Sequence, residues 1–402
     1  MARFKVYKQS EEDNNNDKKN TNYTKKVLFH KGKKLALVLV LLFVVIVFAV
    51  GYRIYIKNRV FSDYDVVSIA KITQNIDSRY LEFGNNVLRY NMDGITCIEK
   101  DNDKAWEISY RMKYPIVALC GDYGAVASQK EDEIYIFNKT GLMGRIDVNY
   151  PIVDIDVSAH GVVAVNMEYE GMNYVDIYEC DGERKVASKT ALEGNGYPLD
   201  IALSYDGQKL MVSYLDISEE ALKSSVVFYN FSEVGENYIW NMVGAYDDYY
   251  EETIIPQVTF LNKDTACAVG DDRVTIFNMK EIPEIRADIK LTKELESFFA
   301  GEDYIALVFD NGDNGGLYNV EIYNTDGQKQ LDYELNKSYK ALCFIEDYVL
   351  IYNEYSCVIF NMTGKEVFSH TFDTAVVLLE PLSLTEYILI TDSTLSEIKL
   401  KQ

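Results

Sequence analysis

Histidine is nearly missing from this 402-residue chain, which holds only His30, His160 and His370. His160 and His370 lie 210 residues apart, and no His/Cys cluster has metal-ligand spacing. No G-x-S-x-G, Walker or zincin pattern occurs either, which closes the usual sequence routes to a hydrolase, a nucleotidase or a metalloprotease. Positive charge is short: 40 Lys+Arg against 63 Asp+Glu leave a net charge of -23. Phosphate contacts need Lys and Arg, so nucleic acid is excluded as the expected partner. Proline is scarce, at six residues, and tryptophan scarcer, at two. Past residue 62 no long stretch has a 3.6-residue apolar period, which excludes a helical body. Residues 218–224 and 293–299 could each form a helical turn or two.

What is present is tyrosine, at 32 residues, in a chain that is 48% hydrophobic and 26% charged. That composition is globular, and tyrosine belongs to strands and binding surfaces. The charge is unevenly spread. Residues 1–60 hold 13 Lys/Arg and four acids, a net of +9, so the remaining 342 residues carry -32.

Between head and body lies LALVLVLLFVVIVFAV, residues 35–50, without one polar side chain. Gly51 and Tyr52 extend it, and Ile54, Tyr55 and Ile56 continue it around Arg53. About 20 apolar residues span a bilayer as a helix, and Arg53 can snorkel to the headgroups. A transmembrane helix over 35–56 is therefore expected. Lys25, Lys26, Lys31, Lys33 and Lys34 outweigh Arg53, Lys57 and Arg59 on the other side, which places the N-terminus in the cytoplasm and the body outside the cell membrane. A cleaved signal peptide is the competing reading, with Ala49-Val50-Gly51 as a weak small-x-small site, but its basic head would be shorter. Residues 1–34 lack apolar periodicity and are expected to be a disordered basic tail. Residues 57–63 make a short linker and 64–402 the ectodomain.

The body is a repeat. A short apolar strand ends in a marker residue, followed by Asn, Asp or Glu and a turn that mostly contains glycine. The markers are Ile98 in a weaker copy, Phe137, Tyr178, Tyr229, Phe277, Tyr323, Phe360, and Ile398 in a truncated last copy followed by Lys399, spaced 39, 41, 51, 48, 46, 37 and 38 residues apart. A period of this size with about four strands each is the signature of an all-β propeller. One four-stranded sheet cannot bury both faces alone, and radial stacking solves that. In blade 3 the strands a to d are read at 152–157, 161–165, 174–178 and 185–192. In blade 7 they are read at 339–345, 348–352, 357–360 and 366–372. The chain ends on a strand c at 395–400, and residues 64–72 form a strand without a blade, so an N-terminal strand is expected to close the last blade. This gives eight blades; seven is the alternative if 78–110 or the stretch between Tyr229 and Phe277 is irregular.

In propellers strand a is innermost, and the d–a and b–c connections share one face. The c–d turns here are plain: Asn138 to Gly141, Asn324 to Gly327, Asn361 to Gly364. The other face carries longer, chemically louder segments at 167–173, 214–225, 245–252 and 310–319, and function concentrates on loops held by a rigid scaffold. The candidate binding face therefore includes Tyr246, Asp247, Asp248, Tyr249 and Tyr250, with Asp310 and Asp313. Three strands a begin at Tyr-Pro pairs, which adds Tyr114, Tyr150 and Tyr197. Proline at a strand's first residue costs no ladder donor, so these pairs also serve simply to start strands. Asp310-x-x-Asp313-x-Gly315 looks loosely like a calcium loop but lacks the alternate carboxylates of an EF-hand. The seven-residue linker, at most roughly 25 Å long, would turn the plain face toward the membrane. Six cysteines are scattered over five blades, mostly within strands, and are read as free thiols.

Two segments carry a resemblance: Ala105-Trp106-Glu-Ile-Ser-Tyr110, and Gly196-Tyr-Pro-Leu-Asp-Ile-Ala-Leu-Ser204 with Asp206, Gly207, Lys209 and Leu210. They are similar to a family of membrane-anchored, clostridial-type Gram-positive bacterial proteins, uncharacterised in function, with one N-terminal helix and a propeller-like ectodomain. The resemblance implies topology and host class and carries no catalytic residues. A looser similarity to quinoprotein-type propellers, through 101–106 before a new blade, occurs once and implies no quinone cofactor. Two functional readings follow. One is a non-enzymatic envelope scaffold, without cofactor or metal, that binds a protein or a cell-wall polymer. The other is a small-ligand sensor or enzyme that uses the central funnel.

Overall fold

A computed structural model describes residues 39–48, 51, 59–72, 77–99, 103–190, 196–217, 222–312 and 316–402. The chain divides into two compact units, residues 1–59 and 60–402. In the first, residues 39–48 are helical with exposed side chains. Among the described residues no helix is long and apolar enough to cross a membrane; the rest of the expected span and the basic tail lie outside them.

The second unit is a ring of eight four-stranded antiparallel sheets. The complete blades occupy 79–109, 115–147, 152–190, 197–246, 257–290, 295–335 and 341–371. The eighth takes Val376–Pro381, Glu386–Thr391 and Thr394–Lys401 from the C-terminus and Asp63–Lys71 from the start of the unit. That first strand pairs antiparallel with the last, from Asp63 opposite Lys401 to Lys71 opposite Thr394. Closure by an N-terminal strand is thus observed, and so are eight blades rather than seven.

The markers have a geometric cause. All eight sit on strand c, and next to each of them strand d carries one extra residue. Ile136 opposes Gly144 while Phe137 opposes Leu142, so Met143 bulges. In blade 8 the bulged residue is Val67, beside Ile398. A bulge at a fixed place adds local twist, so the outer strand of every blade bends in the same way. Where Asn follows the marker, its side chain closes the c–d turn, as at Asn138, Asn324 and Asn361. Asn138 Oδ1 accepts from the Thr140 amide at 2.8 Å, and Asn361 Oδ1 accepts from the Thr363 amide at 3.0 Å. The chain leaves both turns through glycines with positive φ, Gly141 and Gly364.

Packing explains why the repeat is apolar on both faces. Each of the eight contacts between neighbouring blades holds its own buried cluster. Val87, Ile98, Ile388, Ile390 and Leu395 seal blade 8 against blade 1. Phe61, just ahead of the closing strand, is buried between blades 7 and 8.

Three expectations need correction. Residues 222–224 and 295–299 of the segments read as helical turns belong to strands, Leu222–Asn230 and Leu295–Ala300, because both find ladder partners; residues 218–221 lie outside the described residues. The louder segment 167–173 is a hairpin tip. Val163–Tyr169 and Met172–Tyr178 pair as far as Tyr169 opposite Met172, with Glu170 and Gly171 both at positive φ, the turn that matches strand twist. In blade 4, likewise, Lys209–Ile217 and Leu222–Asn230 pair as far as Ile217 opposite Leu222.

Closure predicts the effect of deleting Asp63–Lys71. Strand c of blade 8 then becomes an open edge. Thermal unfolding followed by circular dichroism is expected to lose its single sharp transition, with aggregation seen by light scattering. An unchanged sharp transition would show that the strand is dispensable.

Candidate functional site

The d–a and b–c connections bring several of the candidate tyrosines to one face. Tyr150 lies just ahead of strand a of blade 3, and its ring stacks on Tyr174 at 4.3 Å and on Tyr169 at 5.2 Å between centroids. Strand pairing places Tyr169 and Tyr174 on the two arms of the blade 3 hairpin. The stack therefore ties the d–a connection to the b–c hairpin. Tyr169 and Tyr174 were missed as site residues, although the segment that holds Tyr169 was singled out. Their signal was alternation: with Met167 and Met172 they continue the strands through what reads as a loop.

Tyr114 is 59% exposed and Tyr197 is also exposed. Grooves open beside the first two Tyr-Pro pairs. One, of about 550 Å³, is lined by Arg79, Asn91, Met92, Lys113, Tyr114 and Gln129. The other, of about 570 Å³, is lined by Arg111, Lys130, Glu131, Asp132, Asn149 and Tyr150. Both signs of charge are present, so the acidity expected of this face is not uniform where the tyrosines cluster.

The acidic loop of blade 4 is different. Tyr246 donates its hydroxyl to the Pro283 carbonyl at 2.9 Å, and its ring packs on Phe277 at 5.0 Å. Asp247 accepts from the Asp248 amide and so caps a short 3-10 turn, Asp248–Tyr250. The Arg273 guanidinium lies 5.4 Å from the Tyr249 ring centre. Tyr250 is 0% exposed, in the core between blades 4 and 5. It cannot meet a partner, and its place on the binding face is corrected to a packing role. The loop lies against the ring because strand d of blade 4, Met242–Tyr246, is short and the following residues cover strand c in its place. The Thr253 carbonyl accepts from the Ser224 amide at 3.1 Å. Asp310 is exposed, and its Oδ1 accepts from the Gly312 amide at 2.7 Å. Asp313 lies outside the described residues. Among those described, no group of three His, Cys, Asp or Glu could hold a metal ion.

The innermost strands carry a second set of titratable groups. On strand a of blade 3, Asp156 accepts from its neighbour Val157 at 2.8 Å and, across to blade 4, from the Leu203 amide at 2.7 Å. Asp200 of blade 4 does the same with Ile201 at 3.0 Å and with Val258 of blade 5 at 2.7 Å. Each carboxyl thus stitches two blades together at the axis. Burial pushes Asp156 up to about 7. Burial also raises Asp200, with Asp154 hydrogen-bonded beside it, and raises Asp154 itself. Between blades 8 and 1, burial raises Glu380, and its hydrogen bond to Glu82 adds to the effect. Burial lifts the Cys120 thiol to about 11 and raises Cys343 as well. Such thiols are protonated and poor nucleophiles. All six cysteines are free.

These shifts predict a pH dependence. An acid whose folded pKa lies above its unfolded value binds more protons when folded. Stability then falls as pH rises from the ordinary aspartate range through about 7. The thermal midpoint is expected to be higher at pH 5 than at pH 8, and Asp200→Asn to flatten that slope. A midpoint that rises with pH would contradict the assignment.

Residues 57–400 match a family described as of unknown function (DUF5711), and the chain belongs to it. No curated protein matches at a significant level. Solved structures share the fold at low identity. BamB from Moraxella catarrhalis is 11% identical with a TM-score of 0.51, covering 84% of this chain and 100% of that one. Chaetomium thermophilum Sqt1, bound to the N-terminus of ribosomal protein L10, is 10% identical with a TM-score of 0.53, covering 85% and 100%. Citrobacter koseri AztD is 10% identical with a TM-score of 0.51, covering 77% and 94%.

Proposed function

We propose that this family member is a binding scaffold of the Gram-positive bacterial cell envelope. In this reading residues 35–56 anchor it in the cell membrane as a single span, the N-terminus stays cytoplasmic, and the propeller lies outside. A protein or cell-wall polymer binds on the d–a and b–c face. One observation carries the reading: exposed Tyr114 and half-buried Tyr150 line two adjacent grooves at blades 1 to 3. Tyrosine supplies rigid amphipathic contact area at low entropic cost, and Arg79, Arg111, Lys113 and Lys130 beside it give orientation. That Sqt1 is seen with the N-terminus of a ribosomal protein supports protein binding as a use of this architecture.

The competing reading is a sensor or enzyme in the central funnel. It is weaker because the carboxyls best placed for it, Asp156 and Asp200, already accept two backbone amides each. The raised thiols offer no nucleophile. We therefore assign no enzymatic activity and no cofactor.

The test is photo-cross-linking in intact cells from a reactive amino acid placed at Tyr114 or Tyr169. A discrete adduct is expected from both positions and none from Thr385, in an a–b turn on the other face. Tyr150→Ala should reduce the adduct at Tyr169 severalfold at a cost of about 1–2 kcal/mol in stability, as for loss of a half-buried stacked ring, with the single thermal transition kept. Adducts equal from both faces, or none from either tyrosine, would sink the reading. Topology is checked separately by added protease, which should digest the propeller but spare a tag at the N-terminus.

A further inference from the structure

The c–d connection of blade 4, residues 231–241, is the longest of its kind in the ring. It starts like the others: Asn230 Oδ1 accepts from the Ser232 amide at 3.0 Å. The chain then runs out and back under tight bracing. The Asn230 side-chain amide donates to the Glu281 carbonyl of blade 5 at 2.8 Å. The Asn237 side-chain amide donates to the carbonyls of Glu233 and Val234. Gly235 is so close to the Asn230 carbonyl that any Cβ would collide with it. At the tip Trp240 and Asn241 both hold φ of 59°, a conformation disfavoured for residues with a Cβ.

This bracing leaves Ile239 79% and Trp240 84% exposed, with Tyr238 and Met242 exposed beside them. On blade 5, Ile282 and Ile285 are also exposed, on either side of Pro283, which packs on Gly244. Single exposed apolar residues need no explanation. Four exposed apolar or aromatic residues within 238–242, on a strained and braced loop, do.

The position of the patch selects its occupant. Strand c of blade 8 runs toward the a–b and c–d face and ends at Lys401, opposite Asp63. The propeller therefore begins on the face that carries the blade 4 tip, and in an eight-bladed ring blade 4 stands across from blade 8. Phe61 is fixed there: its amide donates to the Val367 carbonyl at 2.7 Å. Four residues, 57–60, separate it from the apolar segment, a reach of at most about 14 Å. Trp and Tyr with aliphatic neighbours are the side chains that settle at a membrane–water interface. Glu233, Glu236 and Glu281 flank the tip, so attraction to anionic lipid is not the driving force. A tether supplies effective concentration instead.

We infer that the tip at 238–242 inserts Ile239 and Trp240 into the headgroup–acyl boundary of the membrane that holds the anchor. The inference rests on the anchoring proposed above. Tethered at blade 8 and docked at blade 4, the ring would turn its tyrosine grooves away from the bilayer.

The chain has only one other tryptophan, Trp106, so intrinsic fluorescence reads the tip. Full-length Trp106→Phe is placed in phosphatidylcholine vesicles, with or without bromines on the acyl chains near the glycerol, and the same sample is floated on a gradient. Flotation is expected, with a blue-shifted Trp240 emission. Brominated lipid should quench it roughly twofold or more, for a residue about 5–10 Å into the boundary, with no dependence on salt. Trp240→Phe, at an exposed site, gives the complement and should be quenched less. Flotation without quenching, or equal quenching of the two variants, overturns the docking and leaves the anchor standing. Failure to float overturns the anchor and the docking with it.

Discussion

The structure depends on one strand pairing. Asp63–Lys71 lies against Thr394–Lys401, and without it a ring of repeats is an open stack. Each blade buries its faces only against its neighbours, so stability is a chain of interface contributions. An open stack would leave two blades half covered and a free strand edge. Here residues from the two ends of the propeller make one sheet, and the sheet seals the ring on both sides through the blade 7–8 and 8–1 clusters. Phe61 extends that seal to the second residue of the unit. If the anchor is as proposed, the strand that closes the ring is also the strand that takes the load of the tether.

A closed ring fixes the two faces in opposite roles. Strand d bulges at the same place in every blade, and turns closed by Asn138, Asn324 and Asn361 follow, so apart from the blade 4 connection at 231–241 one face is built from short connections. The other face is free to vary, and it does so by lengthening ladders. The hairpins of blades 3 and 4 rise as strands, and Tyr150 stacks on both arms of the first. Rigid presentation on a ladder suits a binding surface better than a long mobile loop, because less ordering entropy is lost on contact.

The fold was legible in the sequence because it is a repeat. A marker every 37 to 51 residues is set by local bulge and turn geometry, and local geometry leaves local traces. The closing strand was legible for a topological reason: one strand was missing at one end and spare at the other. The site was legible in part. Tyr114, Tyr150 and Tyr197 sit on the expected face because proline starts strands. Tyr250 was misread, since an acidic, aromatic run looks solvent-facing until a short strand d leaves strand c to be covered. The axial carboxyls were invisible, because Asp156 and Asp200 read as polar positions of alternating strands. Their partners, Leu203 and Val258, lie 47 and 58 residues away in sequence. The blade 4 tip left only the spacing of 48 residues between Tyr229 and Phe277 as a trace.

Hydrogen exchange of the full-length chain tests the dependence on closure most directly. If one strand pairing holds the ring, the amides of Asp63–Lys71 that bond to strand c should exchange as slowly as those of Glu386–Thr391, through the same global opening. Exchange orders of magnitude faster in that strand, with the rest of the ring still protected, would contradict the account.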